Sequence, residues 1–239
     1  MIAAILPAAG TGSRFAAVGE KLPKQYQSLS GQPVYAWAVS AFCLNAAIDK
    51  VVVVVSSDML EHARAHLSDI TLARANKITV ITGGATRQES VRNGLEHLAA
   101  DNTLPEYVLI HDAARPFITQ AMIDDTIKCV KEKGACSVAI PLTDTIKKVT
   151  NGVIQETLDR SSLYLVQTPQ AARFSWLLEA HRQAARSGIE TTDDAAVLEQ
   201  AGHHVSIVSG SRYNLKITNP EDLSISEALA PIVLKGRGS

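Results

Sequence analysis

The chain has 239 residues, of which 46% are hydrophobic and 20% charged, and its formal net charge is −1. That length suits one large α/β domain or two small ones. The charge balance lacks the basic excess of a general nucleic-acid binder, and no apolar stretch approaches the roughly 18–20 residues of a membrane span.

Three cysteines, Cys43, Cys129 and Cys136, form no CxxC pair. An odd count without metal spacing points to buried thiols in a reducing, cytoplasmic compartment. No basic region precedes the first apolar run, so no secretory leader is expected.

In chain order, an apolar run over residues 2–6 stops at Pro7 and gives way to Ala8-Ala9-Gly10-Thr11-Gly12-Ser13-Arg14. Helical spacing of apolar residues covers 33–46. The β-branched run 51–55 shows no polar alternation, as expected of a strand buried on both faces of a parallel sheet. A strand over 77–81 precedes Gly83-Gly84, and a helix follows over 87–100. A strand over 107–111 precedes Asp112. A helix over 120–133 starts at Thr119 or Gln120 and ends at Gly134. After a strand over 137–140 the helical rhythm stops.

From Asp144 to Gln170 no helix period appears. Two alternating runs, 145–150 and 153–157, flank Asn151-Gly152, a strong hairpin signal. An isolated two-stranded hairpin is marginal in water, so a projecting arm needs a partner surface, and a second copy of the chain is the economical one. Helical spacing returns over 174–187, ending at Gly188, and over 192–201. A strand over 205–208 and a last helix near Pro220 follow. The tail 235–239 reads as unstructured.

This βαβα rhythm predicts an α/β fold: an open, mostly parallel, Rossmann-like sheet with helices on both faces and a projecting β-hairpin arm. Ligands of such sheets bind beyond the carboxyl ends of the strands, so the loops there carry the functional reading. The loop at Pro7–Arg14 fails the P-loop pattern, and Phe15 stands where a dinucleotide fingerprint needs its third glycine. Its small residues and helix start suit either a phosphate or an ordinary tight turn. Arg14, Lys21 and Lys24, the last fixed by Pro23, could offset phosphate charge. Gly83-Gly84-Ala85 bares backbone groups beside Ser90, which could read a base edge or form a plain turn. Asp112 is placed to hold Mg²⁺ or to cap a turn. Arg115 could clamp an anion. His111 reads as packing.

The stretches LPAAGTGSR, PKQY, GGATRQESV, HDAARP, DTIK, DRSSLYLVQTPQ, TDDA and LKITNPEDL, in that order, resemble the 2-C-methyl-D-erythritol 4-phosphate cytidylyltransferases of the non-mevalonate isoprenoid pathway. The resemblance implies transfer of CMP from CTP to a polyol phosphate with Mg²⁺, in a single nucleotidyltransferase domain over 1–239. It also implies a homodimer whose arm, at about 142–168, helps build the neighbouring substrate site. Position by position, Pro7, Ala8, Ala9 and Gly10 match the loop at the nucleotide and its phosphates. Gly84, Ala85 and Ser90 match the cytosine-reading segment. Ala113 falls beside the ribose, and Asp112 matches the metal ligand. Arg14, Lys24 and Lys216 match the cations around the reacting phosphates. Arg115, Thr145, Arg160 and Thr168 match the polyol phosphate site.

The Arg14–Lys24 span is longer than usual for the resemblance, so Lys21 competes with Lys24. Ala85 stands where an acidic residue is common, leaving only its backbone for base reading. Thr192 and Asp193 read as a helix cap near the site. Two alternatives share parts of this pattern: a ribitol 5-phosphate cytidylyltransferase, and a non-catalytic nucleotide-binding protein on the same fold.

Overall fold

The computed structural model describes residues 1–10, 23–70 and 77–233. The calls on Arg14, Phe15, Lys21 and the tail 235–239 therefore lie outside the described residues. Seven strands form the main sheet: β1 (Ile2–Ala8), β4 (Lys50–Val55), β5 (Ile78–Thr82), β6 (Tyr107–Ile110), β7 (Ala135–Pro141), β10 (Tyr164–Arg173) and β11 (Ser206–Ser209). Their order is β11-β7-β10-β6-β1-β4-β5. All pairs are parallel except those of β10, which runs antiparallel between β6 and β7. A two-residue ladder, β2 (Ser28–Leu29) with β3 (Gln32–Pro33), stands apart.

Both faces of the central strands are buried, which explains their unbroken apolar runs. Val51, Val53 and Val55 of β4 enter one core cluster with Leu6 of β1, while Val52 and Val54 enter the other with Ile5. Helices α1 (Val34–Leu44), α2 (Leu60–Ile70) and α4 (Gln120–Lys133) cover the first face. Helices α3 (Arg87–Ala99), α5 (Phe174–Arg186) and α6 (Asp194–Gln200) cover the second, and α7 (Pro220–Val233) packs on a third, smaller cluster.

The predicted caps are in place. Thr119 accepts a hydrogen bond from the Met122 amide at 3.2 Å, and α4 ends at Gly134. Asp193 caps α6 by accepting from the Ala196 amide at 3.0 Å, so this helix begins at Asp194 rather than 192.

Three features depart from the sequence reading. β1 continues through Pro7 to Ala8, because the proline needs no ladder donor there: its carbonyl accepts from the Ala113 amide. Helix α2, absent from the sequence reading, covers β5. Strand β10, also unread, crosses the sheet with a bulge between Val166 and Gln170 that absorbs Pro169. Cys43 and Cys136 are buried as expected, but Cys129 is only half-buried.

The hairpin forms as read: β8 (Lys147–Thr150) pairs with β9 (Val153–Thr157) as a separate sheet. Asn151 and Gly152 have φ of 51° and 77°, the left-handed pair of a type I′ turn. The hairpin grows from the ends of β7 and β10, where the Leu142 amide donates to Leu163.

Candidate active site

The sheet order reverses between β1 and β6, and the crevice at that switch point is where open α/β sheets bind ligands. Loops from both halves meet there. Pro7, Ala8, Ala9 and Gly10 follow β1; Gly84, Ala85 and Ser90 come from the β5–α3 connection; Asp112 follows β6. Lys24 enters from a single 3₁₀ turn, Lys24–Tyr26, and Lys216 from the segment after β11. Pieces spread over more than two hundred residues thus line one cleft.

The chain shapes the cleft with buried side chains. The Gln25 amide nitrogen donates to the carbonyls of both Ala8 and Gly10 at 2.7 Å, fixing the loop after β1. A Cβ on Gly83 would come within 2.6 Å of the Ala9 Cβ and the Ser90 Oγ, so only glycine lets these two loops touch. The Ser90 hydroxyl donates to the Thr86 carbonyl and accepts from the Gly84 amide, at 2.9 and 3.1 Å, which sets the turn.

Asp112 is the electrostatic centre. Its Oδ1 lies 2.8 Å from Arg87 Nε, and its Oδ2 lies 2.7 Å from Lys216 Nζ and 4.0 Å from Arg115 Nε. Burial alone would raise this carboxyl, but Arg87, Lys216 and Arg115 hold it well below the usual carboxylate range. Arg87 also reaches Asp194 Oδ2 at 2.8 Å. Burial would raise Asp194 too, and Arg87 with His181 keeps it low. Arg87, Gln25 and Asp194 carry no role in the sequence reading. Arg87 sits in the GGATRQES stretch; the signal that could have found it is a basic residue at a helix start that faces the strand ends.

A chain of hydrogen bonds runs beneath Asp112. The Arg115 carbonyl can only accept, so His111 Nε2, at 3.0 Å from it, carries the ring hydrogen. His111 Nδ1 then accepts from the Thr168 hydroxyl, whose oxygen accepts from the Asp112 amide, both at 3.1 Å. Burial pushes the imidazole down from 6.5 to about 4, which keeps this neutral tautomer. His111 does pack, against Phe42, but it also holds the strand end that presents Asp112.

Beside the first cleft lies a second, lined by Arg115, Thr168, Thr192 and Asp193, with Arg87, Asp112 and Lys216 common to both. Arg115 donates to the Asn214 carbonyl at 2.7 Å, while its buried Nε has no hydrogen-bond partner among the described residues. Buried Asn214 donates to the Thr168 carbonyl at 2.9 Å and so ties the Lys216 segment to β10.

The predicted residues divide accordingly. The β1 loop, Lys24, Gly84, Ala85, Ser90, Asp112 and Lys216 share the first cleft, and Arg115 and Thr168 border the second. Ala113 is fully buried in the core, and Ala114 lines the cleft in its place. Thr145 and Arg160 lie exposed on the arm and line neither cleft. Arg160 donates to the Thr143 carbonyl at the arm's base.

Among the described residues no group of three or more His, Cys, Asp or Glu side chains could hold a metal by itself. Asp112, the one carboxylate among the described residues lining the first cleft, suits a cation that takes one protein ligand and completes its shell with phosphate oxygens and water, as Mg²⁺ does.

Known proteins match this chain over nearly its whole length. The family model described as IspD: 2-C-methyl-D-erythritol 4-phosphate cytidylyltransferase matches residues 2–231. A 2-C-methyl-D-erythritol 4-phosphate cytidylyltransferase of Bacillus cytotoxicus is 40% identical over 228 residues, covering 95% of this chain and 97% of its own. Among solved structures, the 4-diphosphocytidyl-2C-methyl-D-erythritol synthase of Anaerococcus prevotii superposes with a TM-score of 0.81 at 27% identity, covering 95% of each chain. The Thermus thermophilus 2-C-methyl-D-erythritol 4-phosphate cytidylyltransferase does so with 0.76 at 30% identity, covering 95% of this chain and 97% of its own.

Proposed function

The chain belongs to the 2-C-methyl-D-erythritol 4-phosphate cytidylyltransferase family, and from that premise we propose how its two clefts divide the work. The enzyme transfers CMP from CTP to 2-C-methyl-D-erythritol 4-phosphate and releases pyrophosphate, a step of isoprenoid biosynthesis. The ribitol 5-phosphate and non-catalytic alternatives are thereby set aside.

CTP takes the first cleft. Ser90 and the exposed backbone at Gly84 and Ala85 face the base, and the loop after β1 follows the phosphates. The methylerythritol phosphate takes the second, near Arg115. Its phosphate oxygen attacks the α-phosphorus in line; a P–O bond forms as the bond to the bridging oxygen breaks, and that electron pair leaves with pyrophosphate. The nucleophile is already ionised at neutral pH, so no proton moves and no general base is required. The protein's task is positioning and charge. Lys24 and Lys216 offset the charge on the five-coordinate phosphorus, each worth roughly 2–4 kcal/mol by analogy with an oxyanion donor. Asp112 would hold Mg²⁺, which supplies further neutralisation of the triphosphate oxygens.

A second copy of the chain completes the polyol phosphate site through its arm. Thr145 and Arg160 line neither cleft of their own chain. Val149 and Ile154, paired across the ladder, leave an apolar strip 53–60% exposed on one face of a two-stranded sheet, which such a sheet rarely sustains alone. A cytoplasmic location goes with three free cysteines. Among the described residues no helix is long and apolar enough to cross a membrane.

The observation that carries the reading is the convergence of Lys24, Lys216 and Asp112 on one cleft framed by the loops after β1 and β5. Its test is pyrophosphate release from CTP and Mg²⁺ with each polyol phosphate. Release with methylerythritol phosphate and not with ribitol 5-phosphate is expected; the reverse preference would overturn it.

A further inference from the structure

Two buried carboxylates, Asp112 at the cleft and Asp194 at the start of α6, are joined by one guanidinium. Arg87 is the first residue of α3, behind the Thr86 N-cap, whose hydroxyl accepts from the Glu89 amide. From there its Nε donates to Asp112 Oδ1 and its Nη2 to Asp194 Oδ2, both at 2.8 Å. Asp112 lies 25 residues away and Asp194 lies 107, so the bridge fastens β6, α3 and α6 at one point.

Asp194 is a firm anchor for that bridge. It is 1% exposed. Its amide donates to the Gln170 side-chain oxygen at 2.8 Å, its Oδ1 faces His181 Nε2 at 3.1 Å, and it opens a helix. Gln170 in turn donates to Asp193 at 2.8 Å. The anchor is thus tied to the middle of the sheet through β10.

Arg87 Nε and Nη2 are each taken by a carboxylate, so its charge is largely answered inside the protein. Lys216 differs: its ammonium lies 2.7 Å from the second oxygen of Asp112, and it lines both clefts. Lys216 thus faces both substrate clefts, and Arg87 governs where the carboxylate beside it points.

We propose that Arg87 is a positioning residue for cytidylyl transfer: anchored on Asp194, it holds one oxygen of Asp112 and thereby turns the other toward Lys216 and the reacting phosphates. This rests on the cytidylyltransferase reading above. A planar guanidinium can serve two carboxylates in fixed directions; a lysine ammonium keeps the charge but not the geometry. Without the bridge, Asp112 is free to rotate onto Lys216 and Arg115, and buried Asp194 loses its guanidinium partner.

The test measures turnover of CTP with methylerythritol phosphate in the wild type, Arg87→Lys, Arg87→Ala and Asp194→Asn, with thermal unfolding of each. An inactive wild type would refute the cytidylyltransferase reading itself; the variants decide the bridge. Arg87→Lys should lose about 10²-fold in kcat, the cost of an ångström-scale misplacement, while KM for CTP stays within about threefold. Asp194→Asn, which touches no substrate, should lose about tenfold through coupling. Added guanidinium ion at millimolar concentration should return part of the kcat of Arg87→Ala and none of that of Arg87→Lys. If Arg87→Lys fails to fold, Asp194→Asn decides. Wild-type kcat in Asp194→Asn, with only its melting temperature lowered, would reduce the bridge to a staple between helices and overturn the proposal.

Discussion

The cleft at the switch point and the hairpin arm are built on opposite terms. In the cleft nearly every polar group has a partner in the same chain: Asp112 touches Arg87 and Lys216, its amide meets Thr168, and Thr168 meets His111. Its geometry is set before any ligand arrives. On the arm every residue of β8 and β9 is exposed, and its shape rests on one ladder and one Asn-Gly turn. Its apolar side chains Val149, Val153 and Ile154 are each more than half exposed. On the proposed reading the contrast separates a preorganised charge cage, which does the chemistry, from an unfinished surface, which awaits a second copy.

Lys24→Ala should break the first half of that contrast most severely. Turnover should fall about 10²–10³-fold, the loss seen for one transition-state donor, with an unfolding temperature close to wild type because the lysine lies at the cleft and not in the core. Near-normal kcat would remove Lys24 from the machinery. On the arm, Ile154→Lys places a charge in the exposed apolar strip. Sedimentation should show a shift toward single chains, with kcat lowered about tenfold at low protein concentration and recovering as the protein is concentrated, by mass action. Unchanged sedimentation would detach the arm from assembly.

An effect on stability sharpens how the cleft is supported. His111 is neutral in the fold down to about pH 4, whereas in the unfolded chain it takes up a proton near 6.5. Its contribution is therefore complete above pH 6.5 and declines as the pH falls toward 4. The shift corresponds to about 3 kcal/mol across that window. Protonation would also remove the Nδ1 acceptor of the Thr168 hydroxyl. Denaturant midpoints at pH 7 and 4.5 should show this slope, and His111→Gln should flatten it. An equal slope in both proteins would assign it elsewhere.

How much of this was legible in the sequence depended on the range of the interaction. Local chemistry came through: Thr119 and Gly134 at the ends of α4, the Asn151-Gly152 turn, and the loops after β1, β5 and β6 all stand where their residues place them. Strand β10 did not, because Pro169 and the buried Gln167, Thr168 and Gln170 look nothing like a core strand until the bulge and Asn214 satisfy them. Helix α2 was hidden by charged residues and two histidines, whose partners include Tyr26 and Tyr35 far behind in the chain. Gln25 was beyond reach for the same reason, and Arg87 showed only as a basic residue at a helix start. A side chain that bonds across 107 residues leaves no local period to read. The proposed division of labour between clefts and arm lies further out still, since it calls for two copies.

That division is the claim most open to direct trial, by mixing two disabled chains. Lys24→Ala carries a defective cleft and an intact arm; Arg160→Ala carries the converse. Each alone should turn over poorly. Unfolded, mixed in equal amounts and refolded together, they should form mixed dimers in which one site combines the sound cleft with the sound arm. Pyrophosphate release should then recover to about a quarter of wild type, since half the dimers are mixed and each holds one good site of two. No recovery, in mixtures shown to contain both chains in one dimer, would mean that each arm does not serve the other cleft.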